Sequence, residues 1–286
     1  MYTFKETKRI LNKYGIKAKK KYGQNFLTDD TILNSIVNSA DINENELIIE
    51  IGPGLGNLTN YILEKSSYAL LIEIDDNMIT ILKDRFQNKD NFCLVNKDIL
   101  KLNIDEEIEK IENNIGIRFN NVKIVANLPY YITTPIIFKL LQDTSRVNEI
   151  IVMVQKEVAE RMVAKTNTKD YGILTLMVKY LSDANIEFIV PREAFIPSPN
   201  VTSAVIKLEK NKKYKVNDEK TFFDLVHCSF AQRRKTMINS LSSTNFKSLS
   251  KEQIIKVFEK LNIDANSRAE QLKIEDFIRI SDEIKK

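Results

Sequence analysis

The sequence predicts an α/β fold, a mainly parallel β-sheet flanked by helices, followed by a small all-helical domain. Three observations carry this. Short apolar runs of strand length recur at 47–51, 68–74, 92–96, 122–126, 149–154, 186–190 and 203–208. Helical patterns separate most of them, which is the alternation that builds a parallel sheet covered on both faces. Beyond Lys210 the strand-like runs stop and only helical periodicity remains. A chain of 286 residues with 43% hydrophobic and 29% charged side chains suits one large domain and one small one. The expected boundaries are 1–210 and 211–286, with 211–218 as a linker.

The chain opens with a basic amphipathic segment, 3–14, stopped by Gly15. Thr28-Asp29 is a cap for a helix running to about Ala40. After the first strand, 47–51, helices are expected at 58–65 and 77–87, each following a strand. Residues 103–121 are polar and acid-rich, and are read as a surface loop with some helix. Further helices are expected at 136–142, 156–165 and 171–181. Strands 186–190 and 203–208 flank the proline-rich Phe195-Ile196-Pro197-Ser198-Pro199. The last four helices are expected at 221–230, 235–241, 251–261 and 275–285.

In an open parallel sheet, ligands bind beyond the carboxyl ends of the strands. Four signals fall at such ends. Leu47–Ile51 runs into Gly52-Pro53-Gly54-Leu55-Gly56, preceded by Glu50. Glycines there let the main chain approach a ligand closely, and G-x-G-x-G is the S-adenosylmethionine variant of the nucleotide turn. Glu73 ends the second strand, about twenty residues beyond the turn, where a carboxylate can accept from a ribose diol. Asp98 follows the third strand and can accept from an adenine amine. Both carboxylates favour a cationic sulfonium. The plainer reading of any one of them is a helix cap or a tight turn. A polar residue after each of several successive strands is harder to assign to capping.

The fourth signal is Asn127-Leu128-Pro129-Tyr130. The exocyclic amine of adenine is a poor nucleophile because its lone pair is delocalised into the ring. The Asn127 side-chain oxygen and the Leu128 carbonyl could both accept from that NH₂ and hold the nitrogen toward a tetrahedral form. Pro129 fixes the backbone and Tyr130 offers a ring for the base to stack on. Taken alone, the same four residues also read as an ordinary strand-to-helix turn.

Composition narrows the classes further. No apolar run reaches membrane-spanning length, and the N-terminus lacks the apolar core of a secretory signal. Cys93 and Cys228 are far apart and read as buried free thiols of a reducing, cytoplasmic compartment. The single histidine, His227, argues against a histidine metal cluster or a Ser-His-Asp triad, so no metal is expected. The net charge of +4 is segregated: residues 1–22 carry +7, 23–210 carry −8 and 211–286 carry +5. Basic ends around an acidic middle suit a polyanion held at the ends and a cationic ligand in the centre. Lys17, Lys19, Lys20 and Lys21, with Arg233, Arg234 and Lys235, are the candidate polyanion contacts. A solvated lysine-rich surface, or arginines bracing the C-terminal helices, is the plainer alternative.

These motifs, with Gly23-Gln24-Asn25-Phe26-Leu27, Gln155-Lys156-Glu157-Val158, Phe195–Val201 followed by Ser203-Ala204, Arg233-Arg234-Lys235-Thr236 and Arg268–Leu272, occur in the order seen in one family. Over nearly its whole length the chain resembles the bacterial KsgA (RsmA) small-subunit ribosomal RNA adenine dimethyltransferases. The resemblance implies a Rossmann-like S-adenosylmethionine-dependent methyltransferase fold with a seven-stranded sheet. It implies S-adenosylmethionine contacts from Asn25, Leu27, Gly52, Glu73, Asp98 and Asn127. It implies that Asn127, Leu128, Pro129 and Tyr130 form the catalytic stretch, with Tyr130 and Phe195 holding the target adenine. The implied substrate is two adjacent adenines in the 3′-terminal hairpin loop of 16S rRNA, met in the immature 30S subunit by a monomer without a membrane. Two departures are the long polar span 103–121 and Met237, where leucine is usual.

Two other functions stay open at this stage. A macrolide-resistance type methyltransferase of large-subunit rRNA would share the glycine turn and the Asn-Leu-Pro-Tyr stretch. A non-catalytic RNA-binding assembly factor would keep the fold with a decayed site.

Overall fold

The structure is a computed structural model that describes residues 2–16 and 25–284. Lys17, Lys19, Lys20, Lys21 and the Gly23-Gln24 pair lie outside the described residues. The chain divides into two compact units, 1–159 with 184–210, and 160–183 with 211–286. A single cut at 210 therefore misplaces 160–183, which cluster with the C-terminal helices.

The first unit begins with α1 (Tyr2–Lys13), the two-residue strand β1 (Phe26–Leu27) and α2 (Asp30–Ser39), capped by the Asp29 carboxylate. Strands and helices then alternate: β2 (Glu46–Ile51), α3 (Asn57–Lys65), β3 (Tyr68–Glu73), α4 (Asp76–Arg85) and β4 (Phe92–Asn96). Next come α5 (Ile104–Ile115), β5 (Asn121–Asn127), α6 (Thr133–Gln142), β6 (Val147–Gln155) and α7 (Lys156–Met162). After α8 (Ile173–Leu181) the chain returns through β7 (Ser182–Val190), β8 (Phe195–Ile196) and β9 (Ser203–Lys210).

Among the described residues the main sheet has seven strands in the order β4-β3-β2-β5-β6-β9-β7. The pairs from β4 through β6 are parallel, and β9 runs antiparallel to β6. Every residue of β2 is buried, as expected of a central strand covered on both faces. From β2 the chain steps outward to β3 and β4, then crosses back to β5. The switch point therefore lies between β2 and β5, and the residues leaving their carboxyl ends face a common crevice. The core joins Leu33, Ile36, Ile48, Ile62, Leu71 and Val125 among others.

Three expectations are corrected. The span 103–121 is not a surface loop: α5 fills most of it, capped by Asn103. Ile104, Ile108 and Ile111 recur at helical spacing and are buried, and the buried Glu107 is paired with the exposed Lys97 and Lys110. Second, β1 was not foreseen. Its two residues pair antiparallel with β8, Phe26 opposite Ile196 and Leu27 opposite Phe195. A strand this short leaves no periodicity to read. Third, Cys93 and Cys228 are half-buried rather than buried.

On α1, Ile10 joins Phe26, Leu55, Met78 and Ile81 in a small apolar cluster. Its basic side chains Lys5, Lys8, Arg9 and Lys13 are exposed. The second unit gathers α8, α9 (Glu219–Phe230), α10 (Met237–Ser243), α11 (Lys251–Lys260) and α12 (Ile274–Ile284), with α8 packed against α9 and α12. Tyr171 donates its hydroxyl to the Leu272 carbonyl at 3.0 Å, and the Asn167 amide donates to the Glu270 carbonyl at 2.8 Å. These bonds explain why 160–183 belongs here, and they give the 268–272 motif a structural role. Met237 is fully buried, where leucine and methionine are near-equivalent in volume. No helix among the described residues is long and apolar enough to cross a membrane.

Candidate active site

A cavity of about 250 Å³ opens at the switch point. Asn25 and Leu27, the turn from Gly52 to Leu55, Glu73, Asp98 and the stretch Asn127–Tyr130 all line it. The sequence-predicted residues are thus brought together, with one exception. Phe195 is not on the cavity wall. It is 4% exposed and belongs to the core, where it backs Leu27 across the β1–β8 pair. The Ala194 carbonyl accepts from both the amide and the hydroxyl of Thr28. The 194–196 segment therefore holds the 25–28 strip in place.

The glycine turn has a local cause. Gly52, Gly54 and Gly56 all have positive φ, at 67°, 56° and 79°. At Gly56 a side chain would also meet an obstacle: a Cβ there would lie 2.6 Å from the Phe86 ring. At Gly52 a Cβ would find only Pro129, 3.9 Å away. The turn is pinned from outside by Glu73. One carboxylate oxygen accepts from the Gly54 amide at 3.1 Å, and the other from the Ile74 and Asp75 amides, both at 2.8 Å. A carboxylate offers about four lone-pair sites. Three are occupied, so the expectation of a bidentate grip on a ribose diol narrows to one open site, on the oxygen facing Gly54. Burial raises the Glu73 pKa, against the three amides that favour its charged form.

Asp98 is half-buried and accepts from the Leu100 amide at 2.9 Å through one oxygen, which leaves the other for a ligand. Asn127 donates its side-chain nitrogen to the Asn25 carbonyl at 3.4 Å. That contact orients the amide so that its oxygen remains the acceptor. The Leu128 amide is tied to the Met153 carbonyl at 3.1 Å, and the Thr133 hydroxyl donates to the Pro129 carbonyl at 3.0 Å. The turn is therefore fixed at both ends. Tyr130 shares a 2.5 Å hydrogen bond with the Ser203 hydroxyl, and burial raises its pKa.

Three features escaped sequence reasoning. The first is the burial of Glu50, which lines the cavity at 2% exposure, bonded by the Thr59 hydroxyl at 2.6 Å. Burial pushes its pKa up to about 8, so it is largely protonated at neutral pH. The large apolar side chains Ile74, Leu100 and Tyr131 are exposed at the cavity rim, Tyr131 at 54%. Apolar residues directly after Glu73 and near Asp98 were the available signal. Asn57 is the third: it donates to the Leu27 carbonyl and the Thr7 hydroxyl, both at 2.8 Å, joining α1 and β1 to the helix after the turn.

His227 and the loop residues Arg233, Arg234 and Lys235 are exposed. The Arg233 guanidinium donates to the Lys169 carbonyl and lies 3.7 Å from Glu270, so it braces its own unit. No group of three or more His, Cys, Asp or Glu side chains among the described residues is arranged to hold a metal ion.

Residues 15–286 match the ribosomal RNA adenine dimethylase family profile. The chain belongs to this family. As an adenine dimethylase family member it is 44% identical over 280 residues to the ribosomal RNA small subunit methyltransferase A of Clostridium acetobutylicum, covering 97% of this chain and 98% of that one. The Clostridioides difficile protein of the same name is 47% identical over 277 residues, covering 96% and 93%. Among solved structures, a dimethyladenosine transferase from Plasmodium falciparum superposes with a TM-score of 0.74 at 27% identity, covering 89% of this chain and 95% of that one. The family's fold is the one described above, a Rossmann-like methyltransferase sheet in the first unit with helices making up the second.

Proposed function

We propose that this dimethylase-family chain transfers methyl groups from S-adenosylmethionine to N6 of two adjacent adenines in the 3′-terminal hairpin loop of small-subunit rRNA, in the cytoplasm, during subunit assembly. The observation that carries the reading is the shared cavity. The acceptor pair at Asn127 and Leu128 opens onto the same space as the glycine turn, Glu73 and Asp98.

The donor set fits such a cofactor. Glu73 keeps one lone-pair site for a ribose hydroxyl, and Asp98 keeps one oxygen for an adenine amine. Ile74 and Leu100 offer apolar cover for a purine at the rim. S-adenosylmethionine supplies a methyl group on a positively charged sulfur. A target adenine reaches this cavity only by leaving its stack. Asn127 Oδ1 and the Leu128 carbonyl then accept from the N6 amine and aim its lone pair, while the Tyr130 ring supports the base. With the donor held by these residues, N6 so aimed would take the methyl carbon as sulfur kept the electron pair, and one N6 proton would pass to water. Positioning is the main contribution of the chain, and well-aligned groups contribute on the order of 7–11 kcal/mol in favourable cases.

The test is transfer of tritiated methyl groups to small subunits that lack the modification, with nuclease mapping and nucleoside analysis. N6,N6-dimethyladenosine in the 3′-terminal hairpin supports the proposal. Label confined to large-subunit RNA would favour the macrolide-resistance type. Tight binding without transfer would favour an assembly factor.

A further inference from the structure

Ser203 is the first residue of β9, paired with Gln155 at the end of β6, and it is 0% exposed. Its hydroxyl reaches past β6 to the hydroxyl of Tyr130, which follows β5, at 2.5 Å. This bond fixes the far end of a ring whose near end is already held by the Pro129–Thr133 turn. Phe195 lies in the core, so the half-buried Tyr130 is the aromatic ring that the catalytic stretch presents to the cavity.

Resting on the proposed reaction, we infer that Ser203 is a positioning residue for the second methyl transfer, holding the Tyr130 ring at the angle that supports a monomethylated adenine. The argument is a count of donors. An unmethylated N6 has two N–H groups, one for Asn127 Oδ1 and one for the Leu128 carbonyl. After one transfer a single N–H remains, and one of those two hydrogen bonds is lost. The share of positioning carried by stacking on Tyr130 rises accordingly. Loosening the ring therefore slows the second transfer more than the first. With its hydroxyl committed to Ser203, Tyr130 serves as a neutral surface rather than as a base.

The experiment follows single-turnover methylation of undermodified small subunits, with mono- and dimethyladenosine resolved by mass spectrometry. Ser203→Ala and Tyr130→Phe should each lower the second-step rate about five-fold relative to the first, the size of one neutral hydrogen bond. Monomethyladenosine should accumulate in both. The double variant should be no worse than either single, because both remove the same bond. Binding of S-adenosylmethionine, read by calorimetry, should stay within two-fold of wild type. Equal slowing of both steps, an unchanged mono-to-dimethyl ratio, or losses that multiply in the double variant would overturn the inference. Ser203→Cys, which keeps the volume and weakens the bond, serves if the alanine variant does not fold. Failure of the wild-type chain to methylate N6 at all would instead refute the proposed function.

Discussion

The main-chain nitrogen of Gly54 donates to a carboxylate oxygen of Glu73 at 3.1 Å, so the glycine turn after β2 is held by the side chain that ends β3. Two carboxyl ends of the sheet are thereby locked together before any ligand arrives. Glu73→Ala leaves the Gly54, Ile74 and Asp75 amides without this acceptor. Of these only the Asp75 amide is fully buried, and an orphaned buried amide costs roughly 1–3 kcal/mol. The variant should lose thermal stability and S-adenosylmethionine affinity together. Glu73→Gln, with its oxygen turned toward Ile74 and Asp75, should recover only part of the stability, because its NH₂ group then faces the Gly54 N–H, and it should not recover affinity. Thermal unfolding and calorimetric titration separate the two effects.

Glu50 gives a pH dependence of defined sign. Its pKa rises from an ordinary value of 4.5 to about 8 in the folded chain, through burial, with the Glu73 charge adding and Thr59 and Arg85 opposing. The folded state then binds this proton more tightly than the unfolded state. Its contribution to stability is full below pH 4.5 and is lost as pH rises toward 8. Glu46 and Glu112 are shifted downward and titrate below this window, whereas burial shifts Glu73 upward, so the variant-minus-wild-type difference is what isolates Glu50. Glu50→Gln should remove the Glu50 share of the slope. The difference between variant and wild type in urea unfolding should grow in favour of the variant between pH 5 and pH 8, by on the order of a few kcal/mol.

The two outer glycines of the turn should respond differently to alanine. At Gly56 the left-handed backbone and the 2.6 Å approach to Phe86 act together. Gly56→Ala should cost about 2–4 kcal/mol in chemical denaturation. At Gly52 the space is open, so Gly52→Ala should cost only about 1–2 kcal/mol of backbone strain. Its methyl group points toward Pro129, into the cavity wall. The milder variant in stability should therefore still show weakened S-adenosylmethionine binding.

Arg234 and Lys235 are exposed in the loop between α9 and α10. If they neutralise phosphates, the Arg234→Ala, Lys235→Ala double variant should reduce the salt slope of RNA binding by about two, with folding intact. An unchanged slope would return them to solvated surface. Arg233 is a poorer probe because its guanidinium also braces the Lys169 carbonyl.

The architecture was legible where the chain repeats a physical pattern. Seven apolar runs became the seven strands of the sheet, most clearly in the central strands, which must be apolar on both faces. The glycine turn, Glu73, Asp98 and Asn127 were legible because each follows a strand whose end the pattern had already located. Most of what failed lacked a local pattern, and one pattern was masked. Two-residue β1 exists only because β8 pairs with it. The resemblance implied that Phe195 holds the target base, but the turn that brings it beside Leu27 places it in the core. The isoleucine stripe of α5 was hidden under its acidic outer face. The bond from Ser203 to Tyr130 joins residues 73 positions apart, and no spacing rule reaches that far.

The account depends most on the Asn127 side chain steering the adenine amine. The direct measurement is single-turnover methyl transfer by Asn127→Ala at saturating S-adenosylmethionine, with RNA affinity measured in parallel. The account predicts a loss of about a hundred-fold or more in transfer, as misplacement of a reacting group entails, with RNA affinity within two-fold of wild type. Transfer within a few-fold of wild type would contradict it.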